Sequence, residues 1–191
     1  MARLFAFLRA VNVGGRVVTM EELRRQFGAL GFERVETFIA SGNVIFESRA
    51  RPGAALERRI EERLRAALGY EVRTFVRTAP ELAAIAAHRP FSEARLRGAT
   101  ALNVGFLAAP LEAAAERALL ALRTALDDFH VHGRELWWLC AAKQHESKFS
   151  NALFERKVGV ATTFRGAQTV ARLAAKYSLA PPGWAEGGTL V

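Results

Sequence analysis

Residues 3–9, "RLFAFLR", constrain the fold more than any other stretch of this chain. Side chains alternate between the two faces of a strand, so Leu4 and Leu8 share one face and Phe5 and Phe7 the other. Both faces are apolar. A strand of this kind has to be covered on both sides, and a single sheet with helices on one side covers only half of it.

The elements that follow show how the cover is built. In "TMEELRRQFGALGF", Thr19 is placed to cap and Glu22 stands at capping-box spacing. Met20, Leu23, Phe27 and Leu30 make an apolar stripe, and Gly31 stops the helix. "VETFIA" and "NVIFES" are β-rich runs joined through Ser41-Gly42, which predicts a hairpin. Pro52 opens a second helix in "PGAALERRIEERLRAALG" and Gly69 closes it; "YEVRTFVR" gives a fourth strand. The order β-α-β-β-α-β is the ferredoxin-like split βαβ arrangement, an antiparallel sheet with two helices on one face.

After a short helix that ends near Pro90, the order begins again. "TALNVGFLA" reads as a strand, "PLEAAAERALLALRTAL" as a helix opened by Pro110, and "FHVHG" with "RELWWLC" as a hairpin around Gly133-Arg134. A helix runs from Ser147 to Gly159, then come a strand in "VATTF" and an extra helix in "AQTVARLAAKYS". Asn12-Val13-Gly14 in the first half echoes Asn103-Val104-Gly105 in the second, as a duplication would. The sequence therefore predicts an α+β chain of two tandem ferredoxin-like (α/β-plait) subdomains, residues 1–80 and 98–180. Residues 81–97 link them and 181–191 form a loose tail. Apolar outer sheet faces are costly in water, so the two halves are expected to pack together.

Composition narrows the setting. The net charge of +8 suits nucleic acid, anionic lipid or phosphorylated metabolites as partners. Many arginines alternate with glutamates at helical spacing, which equally describes a solvated helix face. The single cysteine, Cys140, suits a reducing cytoplasm, and its apolar surroundings in "ELWWLC" read as core. The short apolar stretch at the N-terminus is bracketed by Arg3 and Arg9 and reads as a strand, not a signal peptide. No uncharged apolar run reaches the ~18–20 residues needed to cross a bilayer.

Three stretches can carry chemistry. In "ESKFSNALFERKVGVATTFRGAQTV", Lys148, Asn151 and Glu155 share one helix face, with Ser147 as the expected cap and Arg165 and Thr169 following. This reads either as an anion site at a helix N-terminus or as a polar, capped surface helix. "NVGGR" lacks the residues of a phosphate-binding or dinucleotide loop. Gly14 and Gly15 supply positive φ, and the backbone there is either an anion cradle beside Arg9 or Arg16 or simply a turn. In "SGN", Ser41 and Asn43 are ligand candidates, although a hairpin turn explains Gly42 alone. The four histidines, His88, His130, His132 and His145, make no convincing metal set, and Asp127-Asp128 diverge too much to work as an acid–base pair.

Taken together, "FLRAVNVGGRVVTMEELRRQFGALGFERVETFIASGNVIFES" and "SKFSNALFERKVGVATTFRGAQTV" resemble the bacterial family known as domain of unknown function 1697. The resemblance runs over nearly the whole chain, with its specific motifs at the two ends. It implies two ferredoxin-like subdomains and no established activity. Its motifs coincide with Arg9, Asn12, Gly14, Gly15, Ser41, Gly42, Asn43, Ser147, Lys148, Asn151, Lys157, Gly159, Thr163, Arg165, Thr169 and Val170. Two departures stand out: Ala10 replaces a usual Gly, and Gly166-Ala167-Gln168 replaces a usual Asn-Trp-Asn.

The expectation for function is an anionic ligand, phosphorylated or nucleotide-like, held between the subdomains by Arg9, Asn12, Gly14, Gly15, Ser41, Asn43, Ser147, Lys148, Asn151, Arg165 and Thr169. It needs no cofactor or metal ion. Two alternatives stand beside it. One is nucleic-acid binding through a basic surface, with an exposed aromatic sheet face bordered by arginine and Phe5, Phe7, Phe46, Trp137 and Trp138 as the strand aromatics. The other is a non-catalytic interaction module or homo-oligomer. No residue stands out as a nucleophile or general base.

Overall fold

Strand β1 (Ala2–Leu8) is covered on both faces, as its residues require. The structure is a computed structural model that describes residues 1–12, 14–39 and 42–177. Ser41 and the expected tail at 181–191 lie outside the described residues. The first half runs β1, α1 (Met20–Gly28), β2 (Glu33–Thr37), β3 (Asn43–Ser48), α2 (Ala54–Leu68) and β4 (Thr74–Thr78). Then come α3 (Ala79–Ala87) and α4 (Glu93–Arg97). The second half runs β5 (Ala101–Phe106), α5 (Ala113–Leu120), β6 (Asp127–His132), β7 (Glu135–Cys140), α6 (Asn151–Val158), β8 (Thr163–Gly166) and α7 (Ala167–Tyr177).

Each half forms an antiparallel four-stranded sheet, ordered β2-β3-β1-β4 in one and β6-β7-β5-β8 in the other. These are two tandem ferredoxin-like subdomains. In the first, Leu4, Leu8, Val44 and Phe46 pack under Leu23 and Phe27 of α1 and Ile60 and Leu64 of α2. In the second, Phe129, Leu136 and Trp138 pack under Leu119 of α5 and Phe154 of α6. The other two sheet faces press on each other. Phe5, Phe7, Ile45 and Phe75 meet Val104, Phe106, Trp137 and Leu139, with α3 and α7 alongside. The rings of Phe7 and Phe106 stack at 3.8 Å and 11°. Burying one such side chain contributes roughly 1.5–3 kcal/mol, so the sheet-to-sheet layer is a second core.

This packing removes the exposed aromatic sheet face expected for base stacking. Phe5, Phe7 and Trp137 lie between the sheets, and Phe46 and Trp138 lie under the helices, all buried. No sheet face presents these aromatics to a base.

Two local expectations are also corrected. The helix expected from Ser147 starts at Asn151, because Ser150 is the cap and accepts from Leu153 N–H at 3.1 Å. The Asn-Val-Gly echo does not mark equivalent positions. Register aligns Phe7 (opposite Asn43) with Phe106 (opposite Glu135), so Asn103 corresponds to Leu4, while Asn12 lies in the loop after β1. Duplication is carried by element order and register instead.

Strand β4 is an edge of its sheet. Its outward N–H groups at Thr74, Val76 and Thr78 donate to Glu61 (2.9 Å), Glu57 (2.8 Å) and Glu81 (2.7 Å). Three carboxylates thus occupy the donors that a foreign strand would use.

Candidate functional site

Arg165 sits on β8, an edge strand of the second sheet, and points into the first subdomain. A charged residue alternating with core residues on a strand has to find partners or leave the core. Its Nε donates to Asn43 Oδ1 at 2.6 Å, and its Nη2 donates to the Leu8 carbonyl at 2.8 Å. Its Nη1 donates to Thr163 Oγ1 and the Phe164 carbonyl, both at 2.8 Å. Arg165 is buried, and burial lowers its pKa to about 10. It is still charged at neutral pH.

The register that equates Phe7 with Phe106 also equates Arg77 with Arg165, because Phe5 faces Arg77 and Val104 faces Arg165. Arg77 repeats the arrangement in the opposite direction. Its Nε donates to Glu135 Oε1 at 2.6 Å, its Nη2 to the Leu107 carbonyl at 2.8 Å, and its Nη1 to the Val76 carbonyl at 2.9 Å. Each arginine therefore crosses from one subdomain to clasp the end of the other's first strand, over the phenylalanine there (Phe7 or Phe106). The clasps differ at two positions: Arg77 meets the carboxylate of Glu135 where Arg165 meets the neutral amide of Asn43, and Arg165 also reaches the Thr163 hydroxyl, where Phe75 stands in the other half.

The flanking residues differ more. Arg9 follows Leu8 and reaches across to α6, where Nε and Nη2 bind Glu155 Oε1 and Oε2 at 2.6 and 2.5 Å. Glu155 also accepts from Thr162 N–H at 3.3 Å, and Asn151 Nδ2 donates to the Thr162 carbonyl at 3.1 Å. Glu61 is the counterpart of Glu155, since it accepts from Thr74 N–H, and Thr74 corresponds to Thr162. Ala108 follows Leu107 and is the counterpart of Arg9. Its methyl cannot bridge to Glu61. That end holds a cleft of about 630 Å³ between the subdomains, with Glu57 and Glu61 of α2, Phe75, Leu107, Leu111 and Val160 among its walls. Burial raises the pKa of Glu57, and the Val76 N–H partly offsets this.

The structure thus gathers four of the predicted site residues, Arg9, Asn43, Asn151 and Arg165, around the end of β1. The others are dispersed. Asn12 accepts from Val18 N–H at 2.7 Å and pins the loop that carries Gly14 and Gly15, whose φ values are +63° and +78°. Nothing lies within 4 Å of a Cβ built on either glycine, so backbone conformation and not packing calls for glycine there. Ser147 donates to Asp127 (2.8 Å), which also accepts from Trp138 Nε1, at the end of the sheet where Asp127 faces Cys140. Lys148 is exposed. Thr169 lies in the first turn of α7, beside a different cleft.

Cys140 is buried among apolar side chains, and burial raises its pKa, which suits a core residue. His88 stacks on His132 at 4.8 Å and lies 4.4 Å from Trp137. Among the described residues no group of three or more His, Cys, Asp or Glu is placed to hold a metal ion. Among them also, no helix is long and apolar enough to cross a membrane.

Glu57, Glu61, Arg77 and Glu135 were not singled out from sequence. Arg77 did carry a signal: it shares a strand face with Phe75 in a run apolar on both sides, the pattern of a buried charge that needs a partner.

Comparison with known proteins adds the family. A search of curated proteins gives no match. Among solved structures, the conserved bacterial protein SP0830 from Streptococcus pneumoniae is similar, with a TM-score of 0.72 at 22% identity, covering 92% of this chain and 98% of that one. At that identity the likeness speaks to the fold alone. The model of the family described as "Protein of unknown function (DUF1697)" matches residues 1–137, well over half of the chain. The chain therefore belongs to the DUF1697 family of proteins of unknown function.

Proposed function

We propose that this protein binds a small molecule between its subdomains, in the cleft next to Ala108. The observation that carries this reading is the contrast between equivalent ends. The position bridged by Arg9 and Glu155 at one end is open at the other, and it holds about 630 Å³. Ligand pockets commonly measure about 300–1,000 Å³ and combine apolar walls with a few polar groups. Phe75, Leu107, Leu111 and Val160 offer an apolar bed. Exposed Arg58 and Arg73 at the rim, the latter also 3.5 Å from Glu61, offer cations to the anionic group of the expected ligand. Arg165 and Arg9 serve the fold in this reading, since their donors go to Asn43, the Leu8 carbonyl and Glu155.

The test is a thermal-shift screen of phosphorylated and carboxylated metabolites against the parent chain and Ala108→Arg. An arginine at 108 rebuilds the bridge, this time to Glu61, and fills the cleft. A ligand that binds the folded parent raises its Tm with concentration. The reading expects such ligands to lose their effect in Ala108→Arg and to weaken in Arg73→Ala. Ligands that shift all three proteins equally overturn it.

A further inference from the structure

Building on that reading, we infer that the ligand of the cleft next to Ala108 is an ω-amino acid, with its ammonium group at Glu57 and its carboxylate at Arg73. Glu57 lines the cleft from α2 and is only 5% exposed. Its Oε1 accepts from Val76 N–H at 2.8 Å. Its Oε2 has no hydrogen-bond partner among the described residues and is reached from the cleft. A glutamine would serve the Val76 N–H as well, and Asn151, at the matching place in the second half, is neutral. The edge strand therefore calls for an acceptor at Glu57 but not for a charge.

A buried carboxylate with an open oxygen calls for a cation. Burial raises the pKa of Glu57 and Glu61 adds to this, while the Val76 N–H, Arg77 and Arg134 oppose it. Neither arginine pairs with Glu57. The donors of Arg77 go to Glu135 and to backbone carbonyls, and Arg134 pairs with Glu81. An arriving ammonium group gives Oε2 a charge-assisted hydrogen bond, the strong kind. Spacing sets the length of the ligand. Glu61 accepts from Thr74 N–H as Glu57 does from Val76, two residues further along β4. The two carboxylates are therefore held about 6–7 Å apart. Arg73 lies at the Glu61 end, exposed and in a long contact of 3.5 Å, so most of its five donors remain for a carboxylate. An α-amino acid carries both charges on one carbon and spans too little. A short methylene chain spans the gap, with Phe75 and Leu111 as its bed.

The probe is ε-aminocaproate, titrated into ¹⁵N-labelled full chain at neutral pH and followed by amide NMR. Caproate lacks the ammonium group, and norleucine, an isomer of the probe, carries it beside the carboxylate. The probe is expected to shift amides around Glu57, Val76 and Leu107 and to bind roughly tenfold more tightly than either control, the worth of one charge-assisted hydrogen bond. Glu57→Gln keeps the acceptor for Val76 N–H, so the edge strand keeps its partner. It is expected to weaken the probe roughly tenfold and to leave caproate unchanged or tighter. Ala108→Arg is expected to abolish both. Three results overturn the inference: caproate or norleucine matching the probe; an advantage of the probe that survives Glu57→Gln; or no shift at about 10 mM probe, well above a millimolar Kd. Caproate that binds the parent but not Ala108→Arg, with no gain from the ammonium group, leaves the small-molecule reading standing while this inference fails. Probe binding that persists in Ala108→Arg overturns both.

Discussion

At one end of the molecule Arg9 crosses between subdomains to Glu155; at the equivalent place on the other end Ala108 stops short of Glu61. The two halves share strand order, register and a buried arginine reaching into the other half. They differ in what surrounds that shared frame. The first end carries the long loop pinned by Asn12, an ion pair and a neutral clasp. The second carries a charged clasp and an open cleft. Packing of the sheets requires the frame, so both halves keep it. The loops and bridges around it are free to differ, and the open space lies among them.

The sharpest way to break this comparison is to remove each clasp. Arg77→Ala leaves the Glu135 carboxylate buried without its cation and is expected to cost about 3–5 kcal/mol in urea denaturation. Arg165→Ala gives up a neutral amide, a hydroxyl and carbonyls and should cost less. Equal losses would mean that the carboxylate at Glu135 makes no difference. Glu135→Gln gives the charged clasp the chemistry of the neutral one. Its expected cost is about 1.5–3 kcal/mol, the worth of a hydrogen bond to a charged group.

A smaller effect separates Ala10 from its counterpart Ala109. Ala10 holds φ +57°, a left-handed conformation that costs an L-residue roughly 1–2 kcal/mol; Ala109 is not among the described residues with positive φ. Ala10→Gly should therefore raise stability by about 0.5–1 kcal/mol, and Ala109→Gly should lower it by about 0.4–1 kcal/mol. The same sign for both would remove the strain argument.

The smallest expected effect is a pH slope. Burial raises the pKa of Glu57, so the folded state holds that proton more tightly than the unfolded chain does. The carboxylate form therefore opposes folding above the folded pKa, and this opposition fades as the pH falls through it. Glu57→Gln keeps an acceptor for Val76 N–H. Stability of the parent relative to Glu57→Gln should rise between pH 7 and pH 4. Asn151, the counterpart of Glu57, is neutral, and Asn151→Ala should leave the pH profile unchanged. A flat difference for Glu57→Gln would contradict the assignment.

Much of the fold was legible because apolar periodicity and Gly or Pro punctuation are local signals. The run "NVIFES" is β3 residue for residue, and Gly69 and Gly159 cap their helices in the left-handed conformation. Boundaries shifted where local signals compete. β4 begins at Thr74 rather than Tyr70, because Tyr70 packs outside the strand and donates to the Val11 carbonyl. For the site, Arg9, Asn43, Asn151 and Arg165 were readable as motif residues. Arg77 and Glu135 lie 58 residues apart, and their pairing depends on how two sheets face each other. The cleft next to Ala108 was not readable at all, because it arises from an arginine being present at one end and missing at the other.

The paired clasps also bear on how such a chain assembles. When Arg77 takes the Leu107 carbonyl and Arg165 takes the Leu8 carbonyl, the contact is isologous, the geometry of a twofold homodimer. The chain is folded as two subunits would associate, with α3 and α4 as the splice between them. Joining the partners replaces a concentration-dependent encounter with an intramolecular one at an effective concentration in the millimolar range. It also releases the interface from symmetry. In a homodimer every substitution strikes both clasps at once; in one continuous chain Glu135 and Asn43 occupy matching places and answer to different demands.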